Sequence, residues 1–461
     1  MRFDCDVAIV GCGPVGALLG NLLGRRGLSV RIVEKQPKPY DLPRAIHFDG
    51  EAMRVFQAAG LAEQVLPSTR IGLGMLFKDR NDNVLIDWSR EQEIGPQGWH
   101  ESYRVHQPAL EDALVEGLNR FASVELTRGI AVETINQSAE AVELGLGDGT
   151  KLTSRYAVGC DGAASHLRDV LGIAVANLGY KERWLVVDLL LKRPRDDLGD
   201  YSIQFCDADN PATYARGLGD RRRWEFRLES DHPDTIPDSF VWDRLAQWIG
   251  PEDAALERSA VYTFRSRIAK QWMVGRCFLA GDAAHQMPPF MGQGMCAGIR
   301  DAANLAWKLD LVLKGADVAL LDTYHSEREA NVRKFIALTM RLGKLINQTA
   351  AGNAPRGTMK SIWPSLGEGF GARDGVGGVL APQNRLPDGM LADDYAGQGF
   401  CILSKKPMDA LVPVVVGQWE KLDEFGFPAA LIRPDGYAAK GIRSIEEAAA
   451  LLRTLEAQAD K

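Results

Sequence analysis

The sequence predicts an α/β protein of three units. They are a Rossmann-like nucleotide-binding domain with a Gly-x-Gly-x-x-Gly turn, an antiparallel β-sheet domain inserted into it, and a small C-terminal α/β unit. Three observations carry this. An apolar run over residues 5–10 stops at Gly11-Cys12-Gly13-Pro14-Val15-Gly16 and gives way to a helix and a second strand. Between Trp184 and Thr263 the texture changes to short strand-like segments joined by turns. From Leu279 to Met295 it returns to a buried strand, an acid and a glycine-rich helix start.

The bulk properties bound the answer. A chain of 461 residues exceeds one ordinary core. Hydrophobic content of 46% and charged content of 25% are those of a soluble globular protein. A net charge of -7 and a pI near 5.7 argue against nucleic acid or an anionic membrane as partner. The apolar stretch Val7–Val10 follows Asp4 and Asp6 and reads as a strand, not a signal peptide. No segment approaches the roughly 20 apolar residues of a membrane helix. The 7 cysteines, at 5, 12, 160, 206, 277, 296 and 401, show no Cys-x-x-Cys or Cys/His spacing. No metal site is expected, and reduced thiols in a cytoplasmic protein are.

The elements follow in order. The helix after Pro14 runs to about Arg26, and the second strand, Ser29 to Val33, ends at Glu34. Residues 47–66 and 101–121 read as helices, the second with Leu110, Leu114 and Leu118 on one face. Residues 122–158 alternate as strands with a turn at Gly147-Asp148-Gly149, and a nucleotide-domain strand, Tyr156 to Cys160, ends in Asp161-Gly162. Trp184–Leu190, Tyr201–Phe205, Thr213–Leu218 and Arg222–Leu228 read as strands, with a hairpin at Gly219-Asp220. Helices are expected over 295–313 and 322–346. Strands are expected near 400–404, 412–416 and 428–433, and a helix over 445–458. The domains are therefore drawn as 1–180 with 264–350 for the nucleotide, 181–263 for the substrate, 351–390 as a linker, and 391–461 as the C-terminal unit.

Three motifs carry chemistry. Gly11, Gly13 and Gly16 permit a tight turn and close approach of a pyrophosphate to a helix N-terminus, and Glu34 can accept from ribose hydroxyls. Asp161, followed by Gly162, lies at a strand end and has two readings, a cofactor-facing acid or a helix N-cap. Gly281-Asp282 places a carboxylate suited to a sugar alcohol. Gly292 and Gly294 leave room for a flat ring, and the backbone N–H groups at Met295 favour negative charge on it. His285 reads as structural, bonded to neighbouring backbone. Together the three motifs point to FAD.

In this order the motifs resemble those of FAD-dependent aromatic hydroxylases with the p-hydroxybenzoate hydroxylase fold, especially the 3-(3-hydroxyphenyl)propionate hydroxylase and phenol hydroxylase relatives. The supporting stretches are Pro43-Arg44-Ala45-Ile46, Tyr214–Gly219, Arg222-Arg223-Trp224-Glu225-Phe226 and Met287–Met295. The likeness covers residues 5 to about 345 and is weak from 350 to 440. Asp435-Gly436-Tyr437 resembles the end of these proteins, which implies an abbreviated thioredoxin-like unit and a homodimer formed through it. The resemblance implies hydroxylation of a phenolic ring through a flavin C4a-hydroperoxide, with NADH or NADPH as transient reductant and O2 as co-substrate. It further implies that Arg44 and Gln107 contact flavin phosphates or ribityl, that Asp282 binds the ribityl chain, and that Pro289 lies beside flavin and substrate. Cys296 stands where many relatives have asparagine.

His47 keeps two readings, a base for the phenol or a helix-start histidine bonded to nearby backbone. Tyr201, Tyr214 and Tyr262 are candidate substrate contacts, with core packing the competing role. Arg221-Arg222-Arg223 offer charge to a substrate carboxylate, and at least two of the three read as a solvated hairpin edge. The rival functions are other flavin oxygenations (epoxidation, oxidative decarboxylation, polyketide oxidation), halogenation, and non-catalytic binding of an aromatic ligand. The Trp-x-Trp-x-Ile-Pro signature of halogenases is absent.

Overall fold

The computed structural model describes residues 3–42, 44–207, 210–350 and 357–456. Pro43, residues 351–356 of the expected linker and residues 457–458 of the expected last helix lie outside the described residues.

Cys5–Val10 is the middle of a parallel sheet, paired with Val30–Glu34 on one side and Lys151–Gly159 on the other. Val124–Arg128 and Cys277–Leu279 extend it in parallel. The continuous apolar run Val7–Val10 suits a strand buried on both faces. The helices Pro14–Arg25 and Gln293–Leu313 lie close together, with Gly298 of the second against Val15 of the first.

Two expected helices are shorter than the periodicity predicts. Over 47–66 the chain forms a strand, His47–Asp49, then the helices Gly50–Ala58 and Ala62–Val65. Asp49 caps the first helix by accepting from the Ala52 N–H, and Gly60 ends it with φ of +69°. Over 101–121 a strand, Ser102–Val105, precedes the helix Gln107–Leu118, which starts where Pro108 presets φ.

The second sheet has nine strands, centred on the long pair Val175–Leu191 and Ala254–Ala269. It draws Gly74–Lys78 and Val84–Ser89 from outside residues 181–263; neither strand is marked by the sequence reading. Strict alternation gives it two unlike faces. Leu185, Val187, Leu189, Tyr214, Trp224 and Phe226 form an apolar core that also takes in Val241 and Leu245 of the helix Asp238–Leu245. The other face, bearing Trp184, Val186, Asp188, Thr213, Arg223 and Glu225, turns to the nucleotide domain. Trp184 meets Phe290 there at 5.6 Å, and Arg223 Nη1 donates to the Arg44 carbonyl at 2.6 Å.

The C-terminal unit is a four-stranded sheet in the order Val414–Val416, Cys401–Ser404, Ala429–Ile432, Ala438–Ile442, followed by the helix Ile445–Glu456. A buried ionic network joins it to the nucleotide domain. Glu327 accepts from Lys308, Asn304 and Arg433 Nη2, each at 2.8 Å. Asp435 pairs with Arg433 at 2.6 Å and accepts from the Trp307 indole at 3.1 Å, while Tyr437 donates to Glu51 at 2.6 Å. Asp435-Gly436-Tyr437 is thus an anchor. Among the described residues no helix is long and apolar enough to cross a membrane.

Burial alone would raise the Glu327 carboxyl, but Arg433 and Lys308 outweigh it and hold its pKa at about 2 against an ordinary 4.5. A depressed carboxylate adds stability above its unfolded pKa and loses it on acidification. Glu327 should therefore contribute fully above pH 4.5 and progressively less toward pH 2. Glu327→Ala strands buried Lys308 and leaves Arg433 with Asp435 alone, and should cost about 3–5 kcal/mol at neutral pH. Urea denaturation of wild type and variant at pH 7 and pH 3.5 checks both, and the gap between them should narrow at the lower pH.

Candidate active site

The first motif turns immediately after the Cys5–Val10 strand. Gly11 has φ of +100°, and a Cβ there would lie 2.5 Å from the Cys160 carbonyl oxygen. A Cβ at Gly16 would lie 2.1 Å from the Gly11 oxygen, whereas one at Gly13 would meet nothing within 4 Å. The turn is thus closed on its protein side and open at Gly13. No side chain caps the Pro14–Arg25 helix, so its first N–H groups face that opening. Glu34 Oε2 accepts from the Cys12 N–H at 2.7 Å and sets the acid beside the turn. Arg44 is exposed, its guanidinium 4.2 Å over the Tyr40 ring. Gln107 is buried and holds the backbone next to Arg44, accepting from the Ala45 N–H at 2.5 Å and donating to Glu111 at 2.6 Å.

At the second motif, Asp161 accepts from Ser165 Oγ at 2.5 Å and from the Leu167 N–H at 3.0 Å. Both contacts organise the start of the helix His166–Val170, whose N-cap is Ser165. Gly162, with φ of +82°, turns the chain between them. Arg168 donates to the Ala163 and Ala283 carbonyls, tying the second motif to the third.

At the third motif Gly281 takes φ of +62° and donates its N–H to Asp301 at 3.0 Å. His285 Nε2 meets the same carboxylate oxygen at 2.6 Å, and Arg328 donates to the other at 2.9 Å. His285 is structural, but its partner is a helix carboxylate and not the neighbouring backbone. Asp282 accepts no hydrogen bond among the described residues. Its residue is exposed to solvent, and desolvation by the neighbouring protein still raises its carboxyl above the usual value.

Pro289–Met291 forms a single 3₁₀ turn, and Gly292, with φ of +63°, starts the Gln293–Leu313 helix without a side-chain cap. Gly294 has open space beside it. Gln293 donates to Asp49 at 3.0 Å, and Arg300 pairs with Asp49 at 2.5 Å and Glu51 at 2.6 Å, so the first helical turn is fixed from below. The Cys296 thiol reaches the Gly292 oxygen at 3.6 Å, and burial pushes its pKa up, so it is a neutral donor. His47 is in a strand, not at a helix start. Its Nε2 lies 3.1 Å from Ser102 Oγ and its Nδ1 3.4 Å from the Gly292 oxygen. Burial, reinforced by Arg104, pushes its pKa down to about 3, so the ring is neutral near pH 7.

The candidate tyrosines separate. Tyr214 is in the apolar core, 4.8 Å from Trp224, on the face turned away from the nucleotide domain. Tyr262 accepts from Arg258 at 3.0 Å and stacks on Phe264, and Tyr201 is half-buried just before the strand Ser202–Phe205. Arg222 and Arg223 are buried, Arg223 paired with Asp188 at 2.7 Å, so they are not a solvated edge. Sequence reasoning missed Asp301, Arg300, Arg104 and Glu225. A signal existed for the first two, because Arg300-Asp301 interrupts the apolar run Met295–Ala303.

The open Gly13, the unpaired Asp282 and two uncapped helix starts match the anionic pyrophosphate, polyol and polar ring edge of FAD. The comparisons agree. Residues 4–339 match the family described as FAD binding domain. A probable NADH-specific resorcinol 4-hydroxylase of Rhodococcus jostii (strain RHA1) is 37% identical over 99% of this chain and 95% of its own length. A 3-(3-hydroxy-phenyl)propionate/3-hydroxycinnamic acid hydroxylase of Mycobacterium sp. (strain JLS) is 39% identical over 75% of this chain, which spans 61% of that longer protein. The flavin-dependent monooxygenase PieE, solved with FAD and substrate, superposes with a TM-score of 0.82 over 98% of this chain and 99% of its own, at 19% identity.

Gly13→Ala and Gly16→Ala should therefore differ. The first should keep its thermal midpoint as apoprotein yet bind FAD at least about tenfold more weakly, ~1.4 kcal/mol. The second should lose both FAD and stability. Flavin titration and thermal melts of the apoproteins check this.

Proposed function

We propose, for a chain that belongs to the FAD-binding domain family, the NAD(P)H- and O2-dependent hydroxylation of a phenolic ring. The observation that carries this reading is the position of the Pro289–Gly292 turn. It lies between an uncapped helix start and a sheet face that presents Trp184, Val186, Thr213 and Glu225. A flat cofactor on the helix side and a flat substrate on the sheet side would meet there.

In this reading Gly11, Gly13 and Gly16 with the Pro14 helix hold the pyrophosphate, Glu34 the adenosine ribose, and Arg44 a phosphate. Asp161 and Gly162 shape the adjoining loop. Gly281 and Asp282 hold the ribityl chain, and the Gly294 and Met295 N–H groups hold the polar ring edge. FAD held there and reduced by a nicotinamide would supply the chemistry of O2 activation, one oxygen atom of O2 going to an electron-rich carbon and the other leaving as water. The chain contributes enclosure and alignment. Phe290 packs edge-on against both Tyr180 and Trp184, which would help keep water from the space beside Pro289. Neutral His47 braces the Gly292 carbonyl and so aims the turn.

Full-length correspondence to a resorcinol hydroxylase favours a small phenol over one with a long side chain. The same reading includes a cytoplasmic protein, with access to NADH, and a homodimer.

The test is direct. Purified yellow protein is incubated with NADH or NADPH and a panel including resorcinol and 3-(3-hydroxyphenyl)propionate, while nicotinamide oxidation, product and H2O2 are measured. Substrate-stimulated oxidation with hydroxylated product is expected, faster with NADH and with resorcinol. Absence of stimulation by every phenol would overturn the reading.

A further inference from the structure

The cleft-facing side of the nine-stranded sheet holds polar groups that packing does not require. The opposite side of the same strands is apolar. On the cleft side, Ser202, Gln204, Thr213, Arg223 and Glu225 follow one another across three adjacent strands. Several of these are engaged within the sheet. Thr213 donates to Gln204 at 2.8 Å, and Arg223 is held by Asp188 and by the Arg44 carbonyl.

Glu225 is not so engaged. Among the described residues its carboxylate accepts no hydrogen bond, and Arg223 Nη1 stands off at 3.8 Å. Its oxygens remain reachable by solvent although protein surrounds the group. That desolvation raises its carboxyl above the ordinary range. Arg223 opposes the rise, Asp188 adds to it, and Arg258 and Arg104 oppose it more weakly.

The complementary group is Arg104. It is the cross-strand neighbour of His47, whose ring lies against Gly292, so it sits beside the turn. It donates to Ser202 Oγ, and among the described residues no carboxylate lies within ion-pair distance of it. A guanidinium has five donors, so most of its capacity is unspent. Burial, with Arg90 and Arg70 close by, pushes its pKa down to about 10. An acceptor whose one ion-pair contact among the described residues is the long one to Arg223, and an under-paired cation, thus face one cleft without forming an ion pair with each other.

We propose that Glu225 is the group that takes the proton of the substrate's phenolic hydroxyl, and that Arg104 holds the oxygen left behind. This rests on the reading that the chain hydroxylates phenols. The substrate O–H bond breaks and its proton goes to a Glu225 carboxylate oxygen. The electron pair stays on the phenol oxygen and spreads into the ring, raising the nucleophilicity of the ortho and para carbons. The proton returns to the product hydroxyl as product leaves. A raised carboxyl pKa makes Glu225 a better acceptor near neutral pH than a solvated glutamate. The groups facing it are Arg223 on its own strand, Asp188 and Arg258 on the two long central strands, Thr213 on the strand beside it, and Arg104 from the nucleotide domain.

The experiment compares wild-type and Glu225→Gln holoenzymes on phenols of falling pKa, from resorcinol to polyfluorinated phenols already ionised at the assay pH. FAD content and thermal midpoint are measured on the same samples. Glu225→Gln should lower kcat with un-ionised phenols by about 100-fold or more, while the loss shrinks to under about tenfold with ionised ones. The acidic limb of the wild-type pH–kcat profile should disappear. Equal losses on both kinds of phenol, or activity within about threefold of wild type, would overturn the proposal. Should Glu225→Gln lose FAD, Glu225→Asp on the same panel decides by the same criterion, a larger loss on un-ionised phenols supporting it and an equal loss overturning it. If wild type hydroxylates no phenol, the functional reading above fails. If it does and no selective loss follows, only this inference fails.

Discussion

Asp301 is the residue on which the geometry of the site depends. Its two carboxylate oxygens, fully buried, take the Gly281 N–H, the His285 ring and the Arg328 guanidinium. One side chain on the long helix therefore fixes the end of a parallel strand, the bend after it and a second long helix. Asp282 follows Gly281 directly, and the uncapped helix start lies two turns before Asp301. Their separation is set by that carboxylate and not by loop length. Buried ion pairs of this kind add little net stability over apolar packing, but breaking one partner is costly, so they select one arrangement over others.

Arg300, the neighbouring residue, points about 100° around the helix and secures its other side. Its links to Asp49 and Glu51 run on through Tyr437 to the C-terminal sheet. Asp49 both caps one helix and steadies Gln293 at the start of another. The C-terminal unit, distant in sequence, thus bears on the helix start that faces the ring site. Asp435, Arg433 and Glu327 form the second half of the same junction.

The glycine turn, Glu34 and the strand–acid–helix segment were legible in the sequence because local rules govern them. Each requires a backbone angle or a helix terminus that only certain residues supply. The expected helices at 47–66 and 101–121 were overextended because their apolar spacing continues across short strands whose pairing, His47–Asp49 with Ser102–Val105, is long-range. Gly74–Lys78 and Val84–Ser89 went unmarked for the same reason, since the pair joins its sheet through Ser202–Phe205, more than a hundred residues away. Arg222 and Arg223 looked like a solvated edge. Their burial depends on Asp188 and on the Gly219 and Arg44 carbonyls, partners that periodicity does not reveal.

One physical cause, desolvation by surrounding protein, shifts several titratable groups around the cleft, and its sign differs with charge type. It drives His47 to neutrality and raises the Glu225 and Asp282 carboxyls above their ordinary values. Arg104, also lowered, still keeps its charge near pH 7. Arg104, with Arg90 and Arg70 close by, thus places positive charge beside the turn even though the protein as a whole carries -7. A ligand that arrives neutral and becomes anionic in place suits that field better than one that must shed its hydration shell at the entrance.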